Sequence, residues 1–139
     1  MAVRLNPYLN FRDSTRTVME FYRDVFGGDL GVSTFGDYGM SDDPAEKDKV
    51  MHSQLETPSG LVLMASDTPA AMGEPSPNGS VSLSGDHAAD AEMRGYWEKL
   101  ADGGTVVEPL AVAPWGDAFG MVTDKFGVFW LVNIAGAQD

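Results

Sequence analysis

The sequence predicts an α+β fold made of two βαβββ modules, whose paired, curved mixed sheets enclose a cleft. Three observations carry this. Residues 3–67 and 79–134 run through the same order of strand, helix, Gly-Gly, strand, strand, turn and strand. The first helix spaces Val18, Phe21, Tyr22 and Val25 at i, i+3, i+4 and i+7, and Met93, Tyr96, Trp97 and Leu100 repeat that spacing at a constant offset. Each stripe ends in a glycine pair, Gly27-Gly28 and Gly103-Gly104, where a left-handed backbone lets the chain leave a helix cheaply. The expected organisation is a first module over 1–67, a linker over 68–78 and a second module over 79–139, forming one compact domain.

From Val3 to Phe11 the residues alternate, with Leu5, Pro7, Leu9 and Phe11 on one face and Asn6, Tyr8 and Asn10 on the other, as in a half-buried strand. Asp13 or Ser14 can cap the helix that follows. The second strand is expected over 29–35. The charged, turn-rich run from Gly36 to Lys49 reads as an exposed connector, with a lid over the cleft as the alternative. Strands over 50–57 and 61–67 form a hairpin about Pro58-Ser59-Gly60. Three prolines and two glycines mark residues 68–79 as a connector. The second module opens on the period-two run Ser80-Val81-Ser82-Leu83-Ser84. Asp86 or Asp90 then caps a helix that ends near Asp102, and strands follow over 105–112, 118–124 and 128–134.

Composition narrows the function classes. A formal charge of −12, with only nine Lys and Arg among 139 residues, opposes binding to nucleic acid or an anionic membrane surface. With no cysteine, disulfides, thiolate catalysis and Cys-ligated metals are excluded. The N-terminal run lacks the apolar segment of a signal peptide, and no stretch has the length of a membrane span, so a soluble, cytoplasmic protein is expected.

The order of the motifs resembles a known superfamily. Asp13, a helix with Phe21-Tyr22 and then Phe26-Gly27, and after a second strand and helix Trp115-Gly116 and Asp124-Lys125-Phe126-Gly127, are similar to the vicinal oxygen chelate proteins. That superfamily includes glyoxalase I, bleomycin-resistance proteins and extradiol dioxygenases. The run from Val122 to Trp130 resembles its PhnB-like branch. The resemblance implies the glyoxalase-like fold and a homodimer. The branch is often labelled as related to demethylubiquinone methyltransferases, but the sequence shows no glycine-rich strand-to-helix nucleotide loop.

In that superfamily a divalent metal is held by His, Gln or Glu from the first and last strands of each module and acts as a Lewis acid. Carried over by position, the ligands fall at Asn6, Met64, Ser80 and Leu131. An alkane and a thioether do not suit a hard or borderline ion, so no metal and no cofactor is expected. Of the two histidines, His87 reads as a surface or capping residue beside the second helix. His52 shares a strand face with Gln54 and Glu56, away from Met51 and Leu55, and about 13 Å separates His52 from Glu56 along an ideal strand. It is either a general base or a partly buried histidine bonded to Tyr8 or a neighbouring strand.

The cleft lining expected from strand parity comprises Tyr8, Asn10, Gln54 and Met64 from the first module and Ser82, Phe119, Met121, Phe129 and Leu131 from the second. Trp115 sits at its entrance or anchors a hairpin. Trp130 has the helix-facing parity and belongs to the core. The acidic run Asp42-Asp43 to Asp48 lacks calcium-loop spacing and reads as solvated charge. The expectation is therefore a metal-free small-molecule-binding protein. The alternative is an enzyme of the same fold, a lyase, isomerase or dioxygenase, using His52 as base or an atypical metal site around His52 and Glu56 from two subunits.

Overall fold

The computed structural model describes residues 3–41 and 43–137, and the chain divides into two compact units between Asn78 and Gly79. The first contains β1 (Tyr8–Phe11), α1 (Thr15–Phe26), β2 (Asp29–Thr34), β3 (Val50–Glu56) and β4 (Val62–Asp67). The second contains β5 (Ser80–Gly85), α2 (Asp90–Ala101), β6 (Thr105–Val112), β7 (Ala118–Thr123) and β8 (Phe129–Ile134). Each unit holds one four-stranded mixed sheet, ordered β1-β4-β3-β2 and β5-β8-β7-β6. In each, the first strand pairs with the last in parallel and the remaining pairs are antiparallel. The sequence repeat is thus a structural repeat, and the fold is α+β as expected.

In the first unit α1 buries Val18, Met19, Tyr22, Val25 and Phe26, and the sheet meets it with Leu9, Phe11, Leu55, Leu63 and Ala65. Each of the Val, Leu, Met and Phe side chains among these contributes roughly 1.5–3 kcal/mol when fully withdrawn from water, and the Ala65 methyl less. The buried stripe is wider than the expected one, taking in Met19 and Phe26 while Phe21 is only half-buried. In the second unit Met93 of α2 packs with Ala118, Val132 and Ile134, flanked by Leu83, Tyr96, Trp97 and Leu110. Trp130 is 1% exposed and belongs to this core side of β8.

Two expectations about the strands are corrected. Residues 3–7 do not extend β1: Val3 is 99% and Leu5 100% exposed, so their alternation has no partner layer to bury against. Period-two parity also fails at the start of β3. Ser33 pairs with His52 and Thr34 with Val50, leaving Met51 as the extra residue of a bulge. Val50 therefore joins the buried side, and Met51 is half-buried rather than a core partner of Leu55.

The helix starts are held in different ways. The α1 cap position is Ser14, but its side chain makes no capping bond. Instead, the buried Asp67 at the end of β4 accepts from Thr15 N at 3.0 Å through one oxygen and from Val50 N at 2.8 Å through the other, tying α1 to β3. In the second unit Asp86 accepts from Ala89 N at 3.1 Å and caps the short 3-10 helix His87–Ala89 that leads into α2, leaving His87 exposed.

The glycine pairs have distinct duties. Gly27 and Gly103 have φ of 75° and 77° and turn the chain out of its helix. Gly28 and Gly104 lie against the backbone of the following hairpin, where an added Cβ would stand 2.1 Å from Glu56 O and 2.4 Å from Thr123 O. Those hairpins are closed by side chains at matching places. Thr57 Oγ1 accepts from Leu61 N at 3.0 Å. Buried Asp124 accepts from Phe126 N, Val128 N and Trp130 Nε1 at 2.9, 3.1 and 2.9 Å.

Residues 68–78 are laced back onto the first unit. Arg12 donates to the carbonyls of Thr68 and Gly73, and the Asn78 amide accepts from Asn10 N at 2.7 Å and donates to Asn10 O at 3.1 Å. That clasp satisfies part of the outer edge of β1. The connector after β2 is closed at its neck by Phe35 N to Lys49 O and Gly36 N to Lys47 O, and carries a 3-10 helix at Gly36–Tyr38. Asp42 of its acidic run lies outside the described residues.

Candidate functional site

In each unit the strand positions opposite the buried ones form a face directed away from the helix, and the sequence-expected strand residues sit on these faces, while Trp115 lies in the turn between β6 and β7. In the first sheet Tyr8 lies beside Met64, Met64 beside Gln54, and Gln54 beside Gly31. The Tyr8 hydroxyl stands 3.2 Å from His52 Nδ1, and their rings stack with centroids 5.8 Å apart at 27°. This is the Tyr8 partner the sequence offered for His52. Gln54 Nε2 donates to Glu56 Oε1 at 2.6 Å. His52 and Glu56 are thus engaged with different neighbours within the unit. Asn10 is held through its backbone by Asn78.

In the second sheet the row runs Ser82, Leu131, Met121, Glu108, and its neighbours run Ser84, Asn133, Phe119, Ala111 and Ser80, Phe129, Thr123, Thr105. Strand β6 has two irregularities, one between Val106 and Glu108 and one between Glu108 and Ala111. The second gives β6 one residue more than β7, so Leu110 reaches the α2 side while Glu108 and Ala111 stay opposite Met121 and Phe119. Gly120 makes room for this. A Cβ there would lie 2.8 Å from the Trp97 ring and 2.9 Å from Leu110 Cα.

A groove of about 360 Å³ opens on this side, lined by Glu108, Pro109, Pro114, Trp115, Phe119 and Met121 together with small apolar residues at the end of β6 and the start of the turn. The Trp115 and Phe119 rings are 6.2 Å apart and tilted at 58°. Trp115 is 64% exposed, so it walls the groove rather than anchoring a core. Of the residues expected to contact ligand, Trp115, Phe119 and Met121 converge here. Ser82, Phe129 and Leu131 share the face without lining the groove, and Tyr8, Asn10, Gln54 and Met64 belong to the other unit. Sequence reasoning missed Glu108. The signal was a lone carboxylate followed by proline inside the apolar strand run Val106-Val107-Glu108-Pro109-Leu110.

The turn that carries Trp115 is fixed from the far end of β8. Asp117 accepts from Gly136 N at 3.0 Å and from Asn133 Nδ2 at 3.2 Å, and Ala113 N donates to the Asp117 carbonyl at 2.7 Å. The Gly136 amide, then the Asn133 side chain, hold the Asp117 carboxyl below the usual aspartate range. Its folded value is depressed, so its contribution to holding the turn is complete above the ordinary aspartate range and lost as pH falls through the lowered folded value. Trp115 emission is expected to stay constant from neutral pH down to the ordinary aspartate range and to change only below it. Asp117→Asn should alter that emission already at pH 7, and an acid transition unchanged in Asp117→Asn would contradict the assignment.

The positions that the resemblance assigns to metal ligands do not form a ligand set. Asn6 precedes β1, Met64 stands beside Tyr8, and Leu131 stands beside Ser82, while Ser80 pairs two positions away with Phe129. The two rows offer phenol, thioether and amide on one sheet, and hydroxyl, alkane, thioether and a single carboxylate on the other. A divalent ion needs several imidazole or carboxylate donors at one point, and these residues do not fit it. Among the described residues no three His, Asp or Glu side chains are grouped to hold a metal. Among the described residues no helix is long and apolar enough to cross a membrane.

Two mixed βαβββ units of this topology define a protein of the glyoxalase/bleomycin-resistance/dioxygenase, or vicinal oxygen chelate, fold. A glyoxylase/bleomycin resistance protein/dioxygenase domain from Frankia sp. EAN1pec superposes with a TM-score of 0.65 at 14% identity, over 100% of this chain and 95% of that one. The chain belongs to the family described as 3-demethylubiquinone-9 3-methyltransferase, the PhnB-like branch, whose family model matches residues 3–133. It is similar to protein PA1353 from Pseudomonas aeruginosa, with a TM-score of 0.80 and 39% identity over 98% of this chain and 100% of that one. It is also 29% identical to Protein YjdN from Escherichia coli K12, over 96% of this chain and 97% of that protein.

Proposed function

We propose that the chain binds a small, partly apolar molecule in the groove of its second unit, and does so without a bridging metal. The observation that supports this best is the convergence of Trp115, Phe119 and Met121 on one cavity of about 360 Å³, at the lower end of ligand-pocket volumes. The family description names a methyl transfer, which needs a methyl donor. Neither strand-to-helix connection, Arg12-Asp13-Ser14 or Asp86 with its 3-10 turn, supplies a glycine-rich cradle, and neither sheet is doubly wound. Binding rather than methyl transfer is the reading these residues favour.

The neutral flat probe 2-naphthol tests it. Saturable quenching of Trp115 emission is expected, abolished in Trp115→Phe and weakened at least about fivefold in Phe119→Ala, consistent with loss of an aromatic contact of about 1 kcal/mol. Quenching indifferent to Phe119→Ala would refute the groove. Stoichiometric Zn, Ni, Mn or Fe in the purified protein would refute the metal-free reading.

The Tyr8–His52 pair favours a second reading, in which His52 acts as a base on a substrate held against the first sheet. The hydroxyl occupies Nδ1, and among the described residues Nε2 has no hydrogen bond. Should turnover of any substrate be found, His52→Ala that leaves it unchanged would remove this residue from the mechanism.

A further inference from the structure

We propose that the groove selects an organic cation, a protonated or quaternary amine carried on an aromatic or apolar body; this rests on the binding function proposed above and names the ligand class for the same site. The groove contains one charged side chain, Glu108, placed by its pairing with Met121 on the side of the aromatic floor. Among the described residues Glu108 has no hydrogen bond and no ion pair, and no lysine, arginine or histidine lines the cavity. Its negative charge therefore faces the groove without a counterion from the protein.

The remaining lining points the same way. Pro109 and Pro114 have no N–H to offer, Met121 presents a thioether, and Trp115 carries the single side-chain donor. An anion entering here would meet a carboxylate and a single side-chain donor. A cation meets that carboxylate and the rings of Trp115 and Phe119, whose quadrupoles attract positive charge at the ring face. The formal charge of −12 adds a long-range field that raises the local concentration of cations and repels anions.

Three probes built on one ring separate charge from shape: phenyltrimethylammonium, benzyl alcohol and benzoate. Each is titrated into the intact protein while the Trp115 indole and Met121 methyl resonances are followed by NMR. The cation is expected to bind about tenfold more tightly than the alcohol, with benzoate weakest, as cation–π attraction plus one carboxylate would give. Glu108→Gln should lower the cation's affinity to near that of the alcohol, and Glu108→Lys should invert the preference toward benzoate. Both changes are at an exposed position, so an unchanged amide spectrum confirms the fold. If the alcohol or benzoate shifts Trp115 and Met121 as strongly as the cation does, the ligand class is wrong while the groove stands. If none of the three perturbs Trp115, both fall.

Discussion

Replacing Asp124 with alanine is expected to cost about 3–5 kcal/mol of folding stability and to lower the unfolding midpoint by more than about 10 °C. Asp124 is 3% exposed, and its two oxygens accept from two backbone amides of the β7–β8 turn and from the indole of Trp130. Alanine removes both acceptor oxygens and all three hydrogen bonds at once. Phe126 N, Val128 N and Trp130 Nε1 would then need water that the burial of Val128 and Trp130 keeps out. Asp124→Asn should be milder, because its carbonyl still serves the turn while its NH₂ faces the indole donor. Urea denaturation with near-ultraviolet circular dichroism of the tryptophans measures both. A loss under about 1 kcal/mol for the alanine variant would mean the turn is not held in this way.

A glycine series should separate backbone strain from close approach. Gly28 has φ of 103°, and its Cβ would overlap Glu56 O, so Gly28→Ala incurs both penalties and is expected to cost about 3 kcal/mol or more. In Gly104→Ala only the approach to Thr123 O at 2.4 Å acts, for about 1–3 kcal/mol. Gly39→Ala, with φ of 64° and open space around it, incurs the strain of about 1 kcal/mol alone. Equilibrium unfolding should rank Gly28→Ala as most damaging and Gly39→Ala as least. Equal losses at Gly28 and Gly39 would show that the contact with β3 contributes nothing.

These glycines also show what the sequence could disclose. The helix stripes and glycine pairs are local patterns, and their recurrence at one offset exposed the duplicated architecture before any contact was known. Non-local devices were hidden. Asp67 caps α1 from the end of β4, a relation with no sequence spacing to mark it, so Asp13 and Ser14 were the natural candidates. Alternation alone extended β1 back to Val3, where no layer covers the chain, and it could not reveal the extra residue at Met51. The same blindness concealed Glu108. Its side is set by bulges in β6 that only the pairing with β7 reveals, whereas Phe119 and Met121 lie on the regular strand β7 and were readable by parity. The resemblance supplied the fold. The residue types at Asn6, Met64, Ser80 and Leu131 already tell against a metal in the sequence, and strand register adds where they stand. Register put Met64 beside Tyr8 and Leu131 beside Ser82.

Aromatic and amine-bearing fragments soaked into crystals of the intact protein would test the binding site most directly. The groove reading predicts fragments recurring between Trp115, Phe119 and Met121, ring against ring, with amine groups turned toward Glu108. Fragments recurring instead about Tyr8 and His52, with the Trp115 groove empty in every crystal, would contradict it.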